Sequence, residues 1–391
     1  MAKFGVRTYN AISPAGLRRF SGDYLVAPDA EQPDAIMLRS FNLHNETLDE
    51  TVLAVGRAGA GVNNIPVDTL TERGIVVFNA PGANANSVKE LVVAGMLLAA
   101  RNLPAALAYA KDLPAQDMKQ AVEQGKKQFA GHEIAGGTLG VIGLGAIGYR
   151  VANTAVDLGM RVLGYDPGVS EQHASQLSAH VHRVNSLERL LAESDFVTLH
   201  VPLTESTSGM LDAARIAHMA HGAVLLNFAR DELVDEKALI AALDAGDLRG
   251  YVTDFPNPTV HAHEKVISLP HLGASTSSAE DNCAIMIADE LQDFLENGNI
   301  TYSVNFPAVS LPRRGFRRLT LAHRNTPGVI ADFARVISSA GINVVEMIND
   351  CRGDNAYSIM EVDAGELPEA VLKELAQMPQ LLRLRVLAEP S

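Results

Sequence analysis

Residues 138–150, TLGVIGLGAIGYR, narrow the possible folds more than any other stretch of this chain. A short apolar run leads directly into Gly143-x-Gly145-x-x-Gly148, and a helix-forming segment follows. Glycines at that spacing allow a tight turn, close approach of the backbone to a pyrophosphate, and close packing of helix on strand. The helix N-terminus then adds its positive dipole. Such a turn belongs to a β–turn–α unit of a parallel sheet, and the following sequence supplies the rest of one. TLGVIG, RVLGYD, FVTLHVP, AVLLNFA, LRGYVTD and KVISLP are six strand candidates, mostly apolar throughout, as strands covered on both faces are. Helix-like segments at 146–159, 186–193 and 235–245 lie between them, giving a doubly wound rhythm. The next strand ends in LGYDP, with Asp166 eighteen residues past Gly148. An acid there is placed to take ribose hydroxyls and to repel a 2′-phosphate, so NAD is expected rather than NADP.

Residues 1–97 carry a second α/β pattern of weaker regularity, with DAIMLRS and GIVVFNAPG as strands. The segment 301–316, TYSVNFPAVSLPRRGF, is proline-rich without helical period and reads as a linker. After it, RRLTLAH, a helix over 327–340, NVVEMIND, AYSIMEVDA, a helix over 367–377 and LLRLRVLAE follow the ferredoxin-like βαββαβ order. The expected fold class is therefore α/β: two doubly wound, Rossmann-like domains and a C-terminal ferredoxin-like domain.

With 391 residues, two or three domains are expected, and 47% hydrophobic against 20% charged residues suffices for sizeable cores. A net charge of −14 argues against nucleic acid or an anionic membrane as partner, though a local arginine cluster can still hold a small anion. Two cysteines, Cys283 and Cys351, offer neither a disulfide framework nor a metal spacing. The N-terminal MAKFGVRTYN has no apolar leader pattern, and ELVVAGMLLAA (90–100) is too short for a membrane span and reads as a buried helix. A cytoplasmic location is the expectation.

Taken with LHVPLTEST (199–207), LLNFARDELVDEKAL (225–239), LPHLGAST (269–276), GRAGAGVNNIPVD (56–68) and NAPGANANSVKELVVAGMLLAARN (79–102), the chain resembles the D-2-hydroxyacid dehydrogenases over nearly its whole length. The terminal LAHRNTPGVIADFARVISSAGINVVEM is similar to an ACT domain, a small-molecule sensor. The resemblance implies a discontinuous substrate domain (1–98 plus 287–316), an NAD-binding domain (99–286), a regulatory ACT domain (317–391), and ligands in the cleft between the first two.

Hydride transfer involving a 2-hydroxy acid needs a carboxylate anchor, an acid/base for the alcohol proton, and a fixed nicotinamide. Arg230, ending the strand VLLNFAR, is the natural anchor, since strand C-termini of such sheets bind ligands and a guanidinium grips a carboxylate bidentately. The resemblance implies the same residue, and it implies His271 as the acid/base. On the cofactor side it places the turn residues Gly143, Gly145, Ala146, Ile147 and Gly148, with Asp166, Pro202, Thr207, Ala229, Asp254 and Gly273. His200 is as well explained by a core or loop histidine as by a cofactor contact. The family continues Asp-x-Phe-x-x-Glu-Pro, its glutamate pairing the histidine; this chain reads DFPNP, about two residues shorter, with Asn257 nearest the missing acid. An amide cannot raise an imidazole pKa as a carboxylate does. The expectation is that no carboxylate, Glu264 and Asp254 included, hydrogen-bonds His271, and that Asn257, water or a backbone carbonyl takes that place. His261 and His263 lack a third ligand nearby, and no metal is expected.

For the far end of the substrate, Arg57 and Ala58 followed by the exposed amides of Gly59, Ala60 and Gly61 suit an anion, with Arg39, Asn79 and Asn84 as further candidates. The resemblance to the phosphoglycerate-oxidising members implies 3-phospho-D-glycerate as substrate and 3-phosphohydroxypyruvate as product. His323, Asn325 and Asn343 match effector positions, where amide and imidazole groups suit an amino acid, and the resemblance implies that it is serine. A homodimer or homotetramer is expected. The alternatives are a dehydrogenase of another D-2-hydroxy acid, and a catalytically weak NAD-sensing regulator.

Overall fold

In a computed structural model, which describes residues 2–114 and 116–389, the chain forms two compact units. One comprises residues up to Asn84 together with those from Glu280 onward; the other is Ala85–Ala279.

Five short strands, β1 (Phe4–Thr8), β2 (Tyr24–Ala27), β3 (Ala35–Leu38), β4 (Ala54–Arg57) and β5 (Val76–Asn79), make a parallel sheet in the first unit. Their order is β2-β1-β3-β4-β5. All four residues of β3 are buried, as a central parallel strand requires.

The second unit holds a seven-stranded parallel sheet: β6 (Thr138–Ile142), β7 (Arg161–Tyr165), β8 (Val181–Arg183), β9 (Phe196–Leu199), β10 (Ala223–Asn227), β11 (Leu248–Thr253) and β12 (Val266–Ser268). The order β12-β11-β10-β9-β6-β7-β8 reverses at β6, and the glycine turn lies at that switch point, where ligands bind such sheets. Local sequence sets the helix ends. Asp235 accepts hydrogen bonds from the amides of Lys237 and Ala238 to start the helix Glu236–Ala245, and Gly246, at φ 80°, ends it. Strand β8, absent from the six expected, is three residues long with only Val181 buried.

The helix Ala85–Ala100, expected mostly in the first domain, packs on the second sheet: a Cβ on its Gly95 would lie 2.9 Å from the Phe228 ring. It is less buried than its apolar sequence suggests, since Leu97 is exposed. No single helix among the described residues is long and apolar enough to cross a membrane.

The C-terminal segment runs β13 (Arg317–Arg324), helix Val329–Ser339, β14 (Asn343–Arg352), β15 (Asn355–Asp363), helix Glu369–Ala376, β16 (Leu381–Leu387). Its sheet is antiparallel, in the order β14-β15-β13-β16. One face carries both helices over Leu319, Leu321, Phe333 and Met360. The other face adds Ala322, Tyr357 and Ile359 to the core of the first unit, beside Phe78, Phe294 and Phe306.

The expected linker is part of that core. Phe306, Val309 and Leu311 are buried, and Asn305 bonds the Val77 amide, the Ile75 carbonyl and the Thr71 hydroxyl. Proline and the lack of a helical period excluded a helix here; they did not exclude burial, because side-chain and main-chain partners satisfy the irregular backbone.

The helix Ser277–Asn297 ends under the same sheet. Arg385 donates to the Phe294 and Leu295 carbonyls (both 3.0 Å), Arg318 to Asn297 (2.8 Å), and the Tyr357 hydroxyl to Gly298 (2.8 Å). Cations at a helix C-terminus satisfy its last carbonyls and oppose its dipole.

Candidate active site

The glycine turn shows why its residues are glycines. Gly143 has φ 89°, and a Cβ there would sit 2.7 Å from the His200 main chain; on Gly148 it would sit 1.8 Å from the Gly143 carbonyl oxygen. Gly145 differs: a Cβ on it would meet no protein atom within 4 Å. The space above it is what a pyrophosphate would need at the N-terminus of the helix Gly148–Asp157. Ala146 and Ile147 complete the turn.

Asp166, just past β7, accepts hydrogen bonds from the Leu144 amide (2.8 Å) and the Gly168 amide (2.9 Å), so the acid braces the turn it serves. Asp166, Pro202 and Thr207 line one cavity of about 340 Å³ with Tyr165, Val201 and Met210, a size and apolar character suited to an adenosine. Thr207 donates to the Pro202 carbonyl at 2.6 Å, holding that loop. The His200 ring bonds Thr198 through Nε2 (3.0 Å) and buries Nδ1 without a hydrogen-bond partner. Burial pushes its pKa down to about 3, so it is neutral at physiological pH.

Arg230 follows β10. Its carbonyl accepts from the buried Asn227 amide (2.7 Å), and its guanidinium donates to the Ala229 carbonyl (2.6 Å). Asp254 follows β11, 1% exposed; its Oδ2 accepts the Gly273 amide at 2.9 Å, while Oδ1 has no partner. Burial pushes this carboxyl up, against the pull of the Gly273 amide and of His271. The His271 amide donates to the Asp254 carbonyl (2.9 Å), and His271 sits at φ 39°, an uncommon conformation for a side-chain-bearing residue. Asp254, Gly273 and His271 are therefore one cluster.

Among the described residues no carboxylate hydrogen-bonds the His271 ring. Asn257 does not replace the family's glutamate, however. Its Oδ1 caps the helix Pro258–His261 through the Thr259 and Val260 amides, and its Nδ2 donates to Glu236 at 2.6 Å. The shortened loop makes Asn257 a helix cap. Glu264 and His261 line a different cavity, of about 470 Å³, and His263 pairs with Asp244 (3.2 Å). Phe255, which sequence reasoning passed over, packs its ring on that of His271, with centroids 4.7 Å apart, and under the Arg230 guanidinium at 5.9 Å. No periodicity signals such a contact.

In the first unit, Arg39, Arg57, Ala58, Gly59 and Asn79 gather at the C-terminal ends of β3, β4 and β5. Arg57 donates to the carbonyls of Arg39 (3.1 Å) and Gly61 (2.5 Å), bracing the glycine loop, and Asn79 donates to the Ala60 carbonyl (2.6 Å). Arg39 pairs with Glu280 at 2.7 Å, a partner the sequence did not suggest.

Of the effector candidates, His323 is fully buried rather than presented to a ligand. Inward alternation along β13 places its ring against Phe333, with Nδ1 at the Arg324 carbonyl (2.9 Å) and Nε2 at Ser358 (2.9 Å) and Asn349 (3.2 Å). Asn325 lies at one end of β15, its amide bonded to Asp354, while Asn343 pairs with Asp363 at the other. Eight intervening strand residues put these ends roughly 25 Å apart.

Residues 93–273 match the model of the D-isomer specific 2-hydroxyacid dehydrogenase NAD-binding domain. The chain is 35% identical over 348 residues to the D-3-phosphoglycerate dehydrogenase of Haemophilus influenzae, covering 86% of this chain and 81% of that protein. It is 34% identical over 350 residues to that of Escherichia coli K12, covering 86% and 82%. Among solved structures, NAD⁺-bound 3-phosphoglycerate dehydrogenase of Entamoeba histolytica superposes with a TM-score of 0.60 at 26% identity, over 78% of this chain and 99% of that one.

Proposed function

The chain belongs to the D-isomer specific 2-hydroxyacid dehydrogenase family, and from that we propose that it oxidises 3-phospho-D-glycerate to 3-phosphohydroxypyruvate, opening serine biosynthesis. NAD is its cofactor and, when bound, supplies the hydride acceptor. The observation that carries the assignment is the meeting of Arg230 and His271 on one aromatic ring, at the C-terminal edge of a sheet whose glycine turn leaves room for a dinucleotide.

Arg230 holds the substrate carboxylate through paired charge-assisted hydrogen bonds. His271, neutral for this direction, takes the hydroxyl proton on a ring nitrogen as the hydride leaves the same carbon. Asp254 fixes the loop carrying His271 through Gly273. Arg39 and Arg57, with the amides of Ala58 and Gly59 and the Asn79 side chain, are assigned to the phosphate. A second assignment, an unphosphorylated D-2-hydroxy acid, is favoured by the pairing of Arg39 with Glu280, which spends part of that charge inside the protein.

We assign the C-terminal segment to an ACT-type sensor for serine. Asn325 and Asn343 stand too far apart to share one ligand within a chain. Strand β14 is a sheet edge, and antiparallel pairing of two such edges would set Asn343 of one copy beside the Asn325 turn of the other. A homodimer or a tetramer built from it would then carry the effector site, with His323 supporting it from beneath.

The test is NAD reduction by purified protein with 3-phosphoglycerate, D-glycerate, D-lactate and 2-hydroxyglutarate, with and without millimolar serine. The phosphorylated acid should have the highest kcat/KM, and Arg230→Ala should lower it about 10²- to 10⁴-fold. Preference for an unphosphorylated acid would establish the second assignment, and indifference to serine would remove the effector.

A further inference from the structure

We propose that Phe255 is a positioning residue: its ring holds the His271 imidazole and the Arg230 guanidinium in working orientation, a task that no hydrogen-bonded carboxylate among the described residues performs. The proposal rests on the roles given above to Arg230 and His271. Both are rotatable side chains that must be presented to within a few tenths of an ångström for efficient transfer. Neither is fixed by a polar partner of its own at the reacting end. Among the described residues no side chain hydrogen-bonds the His271 ring, and the only hydrogen bond from the Arg230 guanidinium goes to the adjoining Ala229 carbonyl. Phe255 lies within interaction range of both: its ring centroid is 4.7 Å from that of the imidazole at 51°, and the guanidinium carbon stands 5.9 Å over the ring.

The ring itself sits on a stiff segment. The Phe255 amide donates to Thr253 Oγ1 at 3.0 Å, next to the almost wholly buried Asp254. Pro256 restricts the Phe255 backbone to extended conformations. Asn257 then starts a helix through its cap. The short DFPNP loop thus leaves little freedom for the backbone that carries the ring. Its π face attracts the cation, and its edge and face give the imidazole a tilted stacking surface. An aromatic contact fixes geometry without adding a negative charge beside His271.

The experiment compares the kinetics of the full-length enzyme with Phe255→Ala, Phe255→Leu and Phe255→Tyr, alongside Arg230→Ala and His271→Ala. Loss of the ring should lower kcat about 10- to 100-fold in both the Ala and Leu variants and raise KM for the hydroxy acid. Phe255→Tyr, which keeps the ring, should recover kcat to within about threefold of wild type. NADH affinity, read from its fluorescence, should stay unchanged throughout. Wild-type kcat in Phe255→Ala or Phe255→Leu, or a Tyr variant as impaired as the Ala one, overturns the proposal. If Arg230→Ala and His271→Ala are themselves active, the underlying roles fail first; if both are inactive while Phe255→Ala works, the ring alone is wrongly assigned.

Discussion

Glu290 is a carboxyl in the wrong surroundings for a charge. It is 8% exposed on the helix Ser277–Asn297, neither of its oxygens has a hydrogen-bond partner, and burial, helped by the neighbouring Asp289, pushes its pKa up to about 9. In the unfolded chain the same group titrates near ~4.3. Between those values the folded state holds a proton that the unfolded state has released, so stability falls as pH rises through the window. Glu290→Gln keeps the shape and removes the titration. The variant should melt above wild type at pH 8–9, the gap narrowing toward pH 4; parallel melting curves against pH would show that Glu290 ionises freely. His200 has the opposite sense: its depressed pKa favours the folded state above the unfolded value near ~6.5 and loses that contribution as pH falls toward 3.

Between β13 and β15 the C-terminal sheet buries an ion pair, Arg318 to Glu361 at 2.8 Å, both side chains fully covered. Removing one member strands the other. Arg318→Met should therefore cost about 3–5 kcal/mol in urea unfolding, and adding Glu361→Leu should restore most of it. Equal loss in the single and double variants would mean that the bonds from Arg318 to the Asn297 and Pro312 carbonyls dominate instead. At this scale much was legible in the sequence. The fully buried runs of β6 and β10, the capped helix after Asp235 and the βαββαβ order all follow from local pattern and chemistry. Asp166, Pro202 and Thr207, set on the cofactor side by the acid's spacing from the glycine turn and by the family resemblance, line one cavity. What local pattern could not carry was contact between distant residues. The burial of 301–316 depends on partners at Thr71, Ile75 and Val77, the Glu280 pairing on a helix far from Arg39, and the place of Phe255 on three strand ends converging.

In the first unit the N-terminal sheet and the C-terminal sheet share one core, through Phe294, Phe306, Tyr357 and Ile359. Arg383 adds bonds to the Val52 and Glu50 carbonyls. A chain ending after Phe316 would expose Phe294 and Phe306 and leave the last carbonyls of Ser277–Asn297 without their arginines. Such a truncation should give little soluble protein, and hydrogen exchange in β3–β5 should quicken well beyond that of the full chain. A soluble, fully active truncated enzyme would show that the shared core contributes little.

The shared core also limits how such a protein can change by descent. A regulatory module on a free tether can be lost, duplicated or exchanged by recombination at the tether, leaving the enzyme behind intact. Here the boundary segment is itself core, packed with residues of the N-terminal and the C-terminal sheet. A recombination event at residues 301–316 would mismatch Phe306 and Arg385 with their new neighbours at once. The C-terminal sheet and the N-terminal sheet are expected to be inherited together, with compensating substitutions shared across the seam, and chimaeras should succeed only when the segment 277–316 travels with the C-terminal half.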